Sequence, residues 1–373
     1  MKHLVDILSL VEAAVSGDRK KALAYSRLLA EKLAAEGEEK AAARVRRAIE
    51  SRPLANVSAA DVSSRDRLPV DTESRLSLAD ELFIRIDEVQ VILDEPARAT
   101  VEEFIKYVRA QDQLVADGVG LSPSLLMYGP PGCGKTELAR YIAAQLALPL
   151  LTARVDTLIS SFLGSTSKNI RLLFDHVSER RCVLFLDEFD ALAKLRDDRQ
   201  ELGELKRVVV SLLQNIDLLP ERTVLLAATN HEHLLDPAIW RRFAYRLRID
   251  LPKYEARRAL FARFLGAAIS ERTLDKCAKA SEGLSGSDIR QLCEGARRAA
   301  IVGGFQSVPE HDILKRLLFQ TLNADNLPVP EILARAKDRM PDVYTHRVLA
   351  DAFDMTPGNV THILKKRDRK DQS

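Results

Sequence analysis

The chain has 373 residues, enough for two or three domains that each bury a sizeable core. Charged residues make up 29% of it but the net charge is only +2, so no global field points to nucleic acid or a membrane surface, and any basic surface must be local. Cys133, Cys182, Cys277 and Cys293 are scattered with no CxxC pair, which argues against a disulfide framework or a zinc site and suits a reducing compartment.

The first stretch, "MKHLVDILSLVEAAV", carries Asp6 and Glu12 inside its apolar face and makes a poor signal peptide. No apolar run is long enough to span a bilayer, so the expectation is a cytoplasmic protein without a membrane segment. Residues 1–51 read as a helical module broken at Gly17 and Gly37, with Asp18 placed as an N-cap and Leu28, Leu29 and Leu33 forming an apolar stripe. Residues 52–80 turn to Ser, Asp, Arg and Pro without periodicity, as in "NVSAADVSSRD", and read as a linker. From there to residue 250, apolar runs ("SLLMY", "PLLTARV", "CVLFLDEF", "RTVLLAATN") alternate with amphipathic helices. Continuous apolar strands between helices predict an α/β domain whose parallel sheet is covered on both faces.

In "LLMYGPPGCGKTELARYIAAQLAL" a short strand runs into Gly129, Pro130, Pro131, Gly132, Cys133, Gly134, Lys135 and Thr136, and Leu138, Ile142, Ala143 and Leu146 follow at helical spacing. Strand, glycine loop and helix are the context of a P-loop. Backbone N–H groups can curl around phosphate oxygens only where no Cβ intervenes, and the helix turns its positive end toward the same oxygens. Lys135 then reaches the β- and γ-phosphates and the Thr136 hydroxyl holds Mg²⁺, so the expected ligand is a nucleoside triphosphate with magnesium.

"CVLFLDEFDAL" delivers Asp187 and Glu188 at the carboxyl end of a buried strand, where ligands bind in open α/β sheets. Asp187 would hold magnesium through water, Glu188 would polarise the attacking water as general base, and Asp190 would cap the next helix. The strand "LLAATN" places Asn230 beside the same crevice, positioned to orient water and sense the γ-phosphate. After "RLRIDLP" the strands stop, and helices near 253–265, 271–281 and 285–302 predict a helical small domain over 251–320.

The P-loop, "FLDEFD", "ATN" and "LDPAIWRRF", in that order, resemble the AAA family of ATPases, in particular the branch containing spastin and katanin, over roughly residues 84–320. That resemblance implies ATP with Mg²⁺ as cofactors, a homo-hexameric ring, and hydrolysis coupled to remodelling or threading of a protein substrate. It implies that Arg241 and Arg242 are arginine fingers serving the neighbouring subunit's site. It places the substrate-gripping loop at Phe162, Leu163 and Gly164 in "TLISSFLGSTSKNIRLLF". In "GLSGSDIRQLCEGA" it matches the start of a small-domain helix, with Ser285 and Asp288 as a capping box and Gly286 leaving room for the nucleotide base. The entry "DELFIRIDEVQVILDEP" lacks the Gly-Gly pair common in the branch.

Residues 1–51 are similar in length and layout to the adaptor domains of that branch, which implies a partner protein there. At the other end, residues 324–373 include "HRVLADAFDMTPGNVTHILKKRDRK", which resembles a helix-turn-helix: Leu349 and Ala350 on a first helix, a turn at Asp354 to Thr356, and Val360, Ile363 and Leu364 inward on a second. Thr356, Asn359, Thr361 and His362 would then face outward with Lys365, Lys366, Arg367, Arg369 and Lys370 behind them as phosphate contacts. The alternative function is therefore a regulatory ATPase whose C-terminal module binds duplex DNA.

Overall fold

The computed structural model describes Ser26, residues 28–34, 41–43 and 45, and residues 68–371 apart from 72, 73, 121, 159–162, 194–203, 267 and 268. The chain divides into two compact units, residues 1–67 and residues 68–373. In the first, the described residues of the expected helical module are helical, with Ala30 and Ala42 buried and Leu28 exposed. Gly17, Asp18 and Gly37 lie outside the described residues.

The second unit opens on a six-stranded sheet. Its strands are β1 (Ala79–Leu82), β2 (Ser124–Tyr128), β3 (Leu150–Ala153), β4 (Val183–Leu186), β5 (Val224–Thr229) and β6 (Tyr245–Arg248), in the order β1-β3-β4-β5-β2-β6. Pairings from β3 to β6 are parallel, and β1 closes one edge antiparallel to β3. The helices packed with it are α1 (Glu95–Arg109), α2 (Lys135–Leu146), α3 (Leu163–Ser178), α4 (Phe189–Ala193), α5 (Glu204–Asp217) and α6 (Pro237–Trp240). Alternate residues of each strand feed opposite cores. Leu126, Leu184, Leu186, Leu225 and Ala227 pack with Leu173 and Phe174 of α3 and Leu212 of α5. Leu125, Met127, Val183, Phe185, Leu226 and Ala228 pack with Phe104 of α1 and Leu138 and Ile142 of α2. Both faces of the central strands are covered, so β2, β4 and β5 carry no polar alternation, whereas the edge strand β6 alternates exposed Arg246 and Arg248 with Tyr245 and Leu247.

The end of the expected linker is part of this domain. Residues 68–71 pair antiparallel with residues 76–78, with Leu78 N–H donating to the Pro69 carbonyl and Asp71 N–H to the Leu76 carbonyl, both at 2.8 Å. Leu78 is fully buried, and the buried Asp71 accepts from Asn169 Nδ2 of α3 at 3.0 Å. Long-range pairing of this kind leaves no periodicity in the sequence.

Among the described residues, seven α-helices follow β6: α7 (Tyr254–Leu265), α8 (Glu271–Ala280), α9 (Gly286–Val302), α10 (Glu310–Leu322), α11 (Val329–Arg339), α12 (His346–Ala352) and α13 (Pro357–Asp371). A single hydrophobic core runs through all of them, from Phe261 and Leu274 through Ile289, Leu317 and Leu333 to Leu349 and Val360. The expected boundary between residues 320 and 324 therefore separates no cores: the C-terminal helices are a wall of the helical domain. Between α12 and α13 the chain turns at Asp354, whose φ of 55° is left-handed, a conformation Asp tolerates better than most residues.

Candidate nucleotide-binding site

β2, β5 and β4 are neighbours and parallel, so the glycine loop, Asn230 and Asp187 all leave the sheet at one end. The loop's shape explains its glycines. Gly129, Gly132 and Gly134 have φ of 134°, 74° and 95°, where an L side chain is strained. A Cβ on Gly129 would also lie 2.1 Å from the Ile249 carbonyl oxygen, and one on Gly132 would lie 2.7 Å from Ser285 Oγ.

Lys135 opens α2 and is buried, 6% exposed, with Nζ donating to the carbonyls of Gly129 and Pro130 at 2.8 Å each. Burial pushes its ammonium below the ordinary lysine range, opposed by the nearby Cys133, Asp187, Asp190 and Glu232. Thr136 Oγ1 donates to Asp187 Oδ2 at 2.8 Å, joining the first turn of α2 to the end of β4 across β5. Cys133 is half-buried and its thiol is raised by that burial, against the pull of Lys135. Pro130 is half-buried and Pro131 exposed on the rim of the loop.

Glu188 is exposed and has a φ of 48°, a left-handed conformation that costs a non-glycine residue on the order of 1 kcal/mol. Its N–H donates to Asp187 Oδ1 at 2.9 Å and its carbonyl accepts from Ala191 N–H at 2.8 Å. Asp190 lies in the first turn of α4 but its carboxylate reaches sideways, accepting from Thr229 Oγ1 at 2.8 Å. It ties α4 to the end of β5, where sequence reasoning expected a helix cap. Asn230 follows Thr229 and is half-buried.

The two adjacent arginines are not equivalent. Arg242 is held by a two-pronged pair to Asp217 of α5, at 3.1 Å on both prongs, and donates to the Ala238 carbonyl at 3.1 Å, whereas Arg241 is exposed. Ser285 and Asp288 form the expected capping box at the start of α9. Ser287 N–H donates to the Gly132 carbonyl at 3.0 Å, and a Cβ on Gly286 would come within 3.3 Å of that same oxygen. The helical domain thus rests on the loop itself. Phe162 lies outside the described residues; Leu163 and Gly164 form the first turn of α3.

The cradle fits a nucleotide with magnesium. Its glycines leave the loop N–H groups without Cβ cover, its one ammonium is buried against carbonyls that phosphate oxygens can replace, and a hydroxyl and a carboxylate are already paired beside it. Strand, loop, helix and strand-end carboxylates define a P-loop nucleotide-binding domain. Residues 125–251 match the model of the ATPase family associated with various cellular activities (AAA). The chain is 41% identical over 218 residues to an uncharacterized AAA family ATPase, y4kL, of Sinorhizobium fredii, covering 57% of this chain and 65% of that protein. It is 32% identical over 285 residues to a proteasome-activating nucleotidase of Methanopyrus kandleri, covering 71% and 64%. The chain thus spans slightly less than two thirds of either relative. The solved FIGL-1 AAA domain shares the fold, with a TM-score of 0.54 at 24% identity over 77% of this chain and 97% of that one.

Two pairings that shape the site were not expected from the sequence: Thr229 with Asp190, and Ser287 with Gly132. Asp190 follows Asp187 by three residues and Thr229 precedes Asn230, but nothing in either stretch announces the partner.

Proposed function

We propose that the chain hydrolyses ATP with Mg²⁺ and couples turnover to remodelling or threading of a protein substrate through a homo-hexameric ring of the spastin and katanin type. The observation that carries this reading is the Thr136–Asp187 hydrogen bond beside the buried Lys135, which brings the hydroxyl, carboxylate and ammonium of a triphosphate site together. In this reading the loop amides and Lys135 bind the phosphates, while Thr136 and Asp187 hold the ion through water. Magnesium supplies charge neutralisation on the phosphates. Glu188 takes the proton of the attacking water and Asn230 orients that water. The Gly286 turn borders the base. Arg241 and Arg242 act on a neighbour's site, Arg242 only after exchanging Asp217 for phosphate. Phe162, Leu163 and Gly164 grip the polypeptide, and a relative named for activating a proteasome supports protein as the substrate class.

A second reading, duplex DNA at the C-terminus, is favoured by the α12–α13 turn. Val360 is buried inward, while Thr356, Asn359, His362, Lys365 and Lys366 are exposed. ATP turnover of the full chain separates the two: an unfolded polypeptide accelerates it in the first reading, duplex DNA in the second. Turnover indifferent to polypeptide overturns the first.

A further inference from the structure

β5 outruns β4. Their ladder ends at Leu186 opposite Ala227, and where a continuing β4 would pair with Ala228 and Thr229 the chain instead turns left-handed at Glu188. What joins the two strand ends beyond that point is a side chain. Thr229, only 1% exposed, gives its hydroxyl proton to Asp190 Oδ1 at 2.8 Å and accepts from His231 N–H at 3.0 Å. A hydroxyl can do both at once, having one proton and two lone pairs. The two residues on either side of Asn230 are thereby pinned to one oxygen, and that oxygen is pinned to the residue two after Glu188.

We propose that Thr229 and Asp190 are a positioning pair that holds Asn230 and Glu188 in register for the attacking water. Neither residue touches the nucleotide in this assignment, which rests on the ATP-hydrolysis reading above. A tie that served only to stabilise the sheet would be redundant here, because β4 and β5 are already laddered over four residue pairs and both strands are buried. The bridge falls past the ladder, where the backbone leaves β4 in the disfavoured conformation of Glu188. It fixes the water-activating turn to the strand that carries the water-orienting amide.

The test uses the full chain with Thr229→Val, Thr229→Ser, Asp190→Ala and the Val/Ala double variant. Valine keeps the β-branched shape in a buried strand but can neither donate nor accept; serine can do both. Thr229→Val is expected to bind a fluorescent ATP analogue within about twofold of wild type and to lose about tenfold or more in turnover, the loss of one hydrogen bond to a charged group. Thr229→Ser recovers to within about threefold, and Asp190→Ala matches Thr229→Val with no further loss in the double variant. Asp190→Ala, at a half-exposed position, carries the same comparison if thermal unfolding shows that Thr229→Val has lost its fold. Wild-type turnover in either single variant, additive losses, or an affinity loss that parallels the rate loss overturns the pair. A wild-type chain that binds nucleotide without turnover sinks the hydrolysis reading and the pair's role with it.

Discussion

Lys135 and Glu188 are both out of their comfortable state, and each predicts a different phenotype. The Lys135 ammonium is desolvated, and its folded pKa is lowered by burial, so its charge is a cost to the fold that binding must repay. Lys135→Ala should keep its thermal midpoint within a few degrees yet lose nucleotide affinity by about a hundredfold or more, as read by titration. Glu188→Gln should still bind ATP while turnover falls by about a hundredfold or more, the size of a general-base contribution. At the same residue, Glu188→Asn should gain a few tenths to about 1 kcal/mol in urea unfolding, because Asn adopts the left-handed φ more readily. The arginines divide similarly. Arg241→Ala should remove trans-acting stimulation in mixed assemblies without altering stability, whereas Arg242→Ala should also lower the thermal midpoint by stranding Asp217. Equal thermal midpoints for the two would show that the Asp217 pair is dispensable.

Elements were legible where their signal is local. The glycine loop announced itself because three left-handed glycines and a following amphipathic helix are properties of one short segment. Asp187 was expected at the carboxyl end of a strand, and it follows β4, but its hydrogen bond to Thr136, 51 residues away, has no local signal. Asp190 was misread because its partner lies 39 residues away, and helix-cap chemistry was the nearest local explanation. The cysteines make a test at this scale. Cys182 at the head of β4 and Cys293 in α9 are both buried, and burial pushes each thiol up to about 12. Cys277 is displaced in the same direction by burial, with Cys293 adding to it. The folded state therefore keeps these thiols protonated where the unfolded chain loses them. The stability they lend is whole below the ordinary thiol pKa of 9.0 and is lost as pH rises from there toward about 12. Unfolding free energies from urea titration should fall by about 1.4 kcal/mol per buried thiol for each pH unit above that value, and Cys182→Val should flatten the slope. A maleimide probe should modify Cys133 ahead of the three buried cysteines in the native state, more slowly than an ordinary exposed thiol, and ATP should slow it further.

At the scale of the whole chain, the two ends behave oppositely because one is a separate unit and the other a wall. Residues 68–373 alone should fold and bind nucleotide like the full chain, whereas a chain ending at Asn323 should expose the faces that Ile332, Leu333, Leu349 and Val360 now cover and aggregate on purification. A soluble, cooperatively unfolding 1–323 chain would contradict the shared core. Amphipathic helices beyond residue 324 were readable from the sequence, but which surface they cover is a tertiary fact that no periodicity records. The glycine loop, finally, is held at two points: Gly129 has no room for a Cβ against Ile249, in the sheet core on the way out of β6, and the Gly132 carbonyl accepts the Ser287 amide of the helical domain, at the start of α9. A loop gripped at both ends cannot change shape without turning the body attached to it. Thermodynamic reciprocity then fixes the reverse effect: a ligand taken by α12 or α13 in only one of those orientations must change the affinity for ATP by the same factor that ATP changes its own, about 5- to 150-fold for couplings of ordinary size.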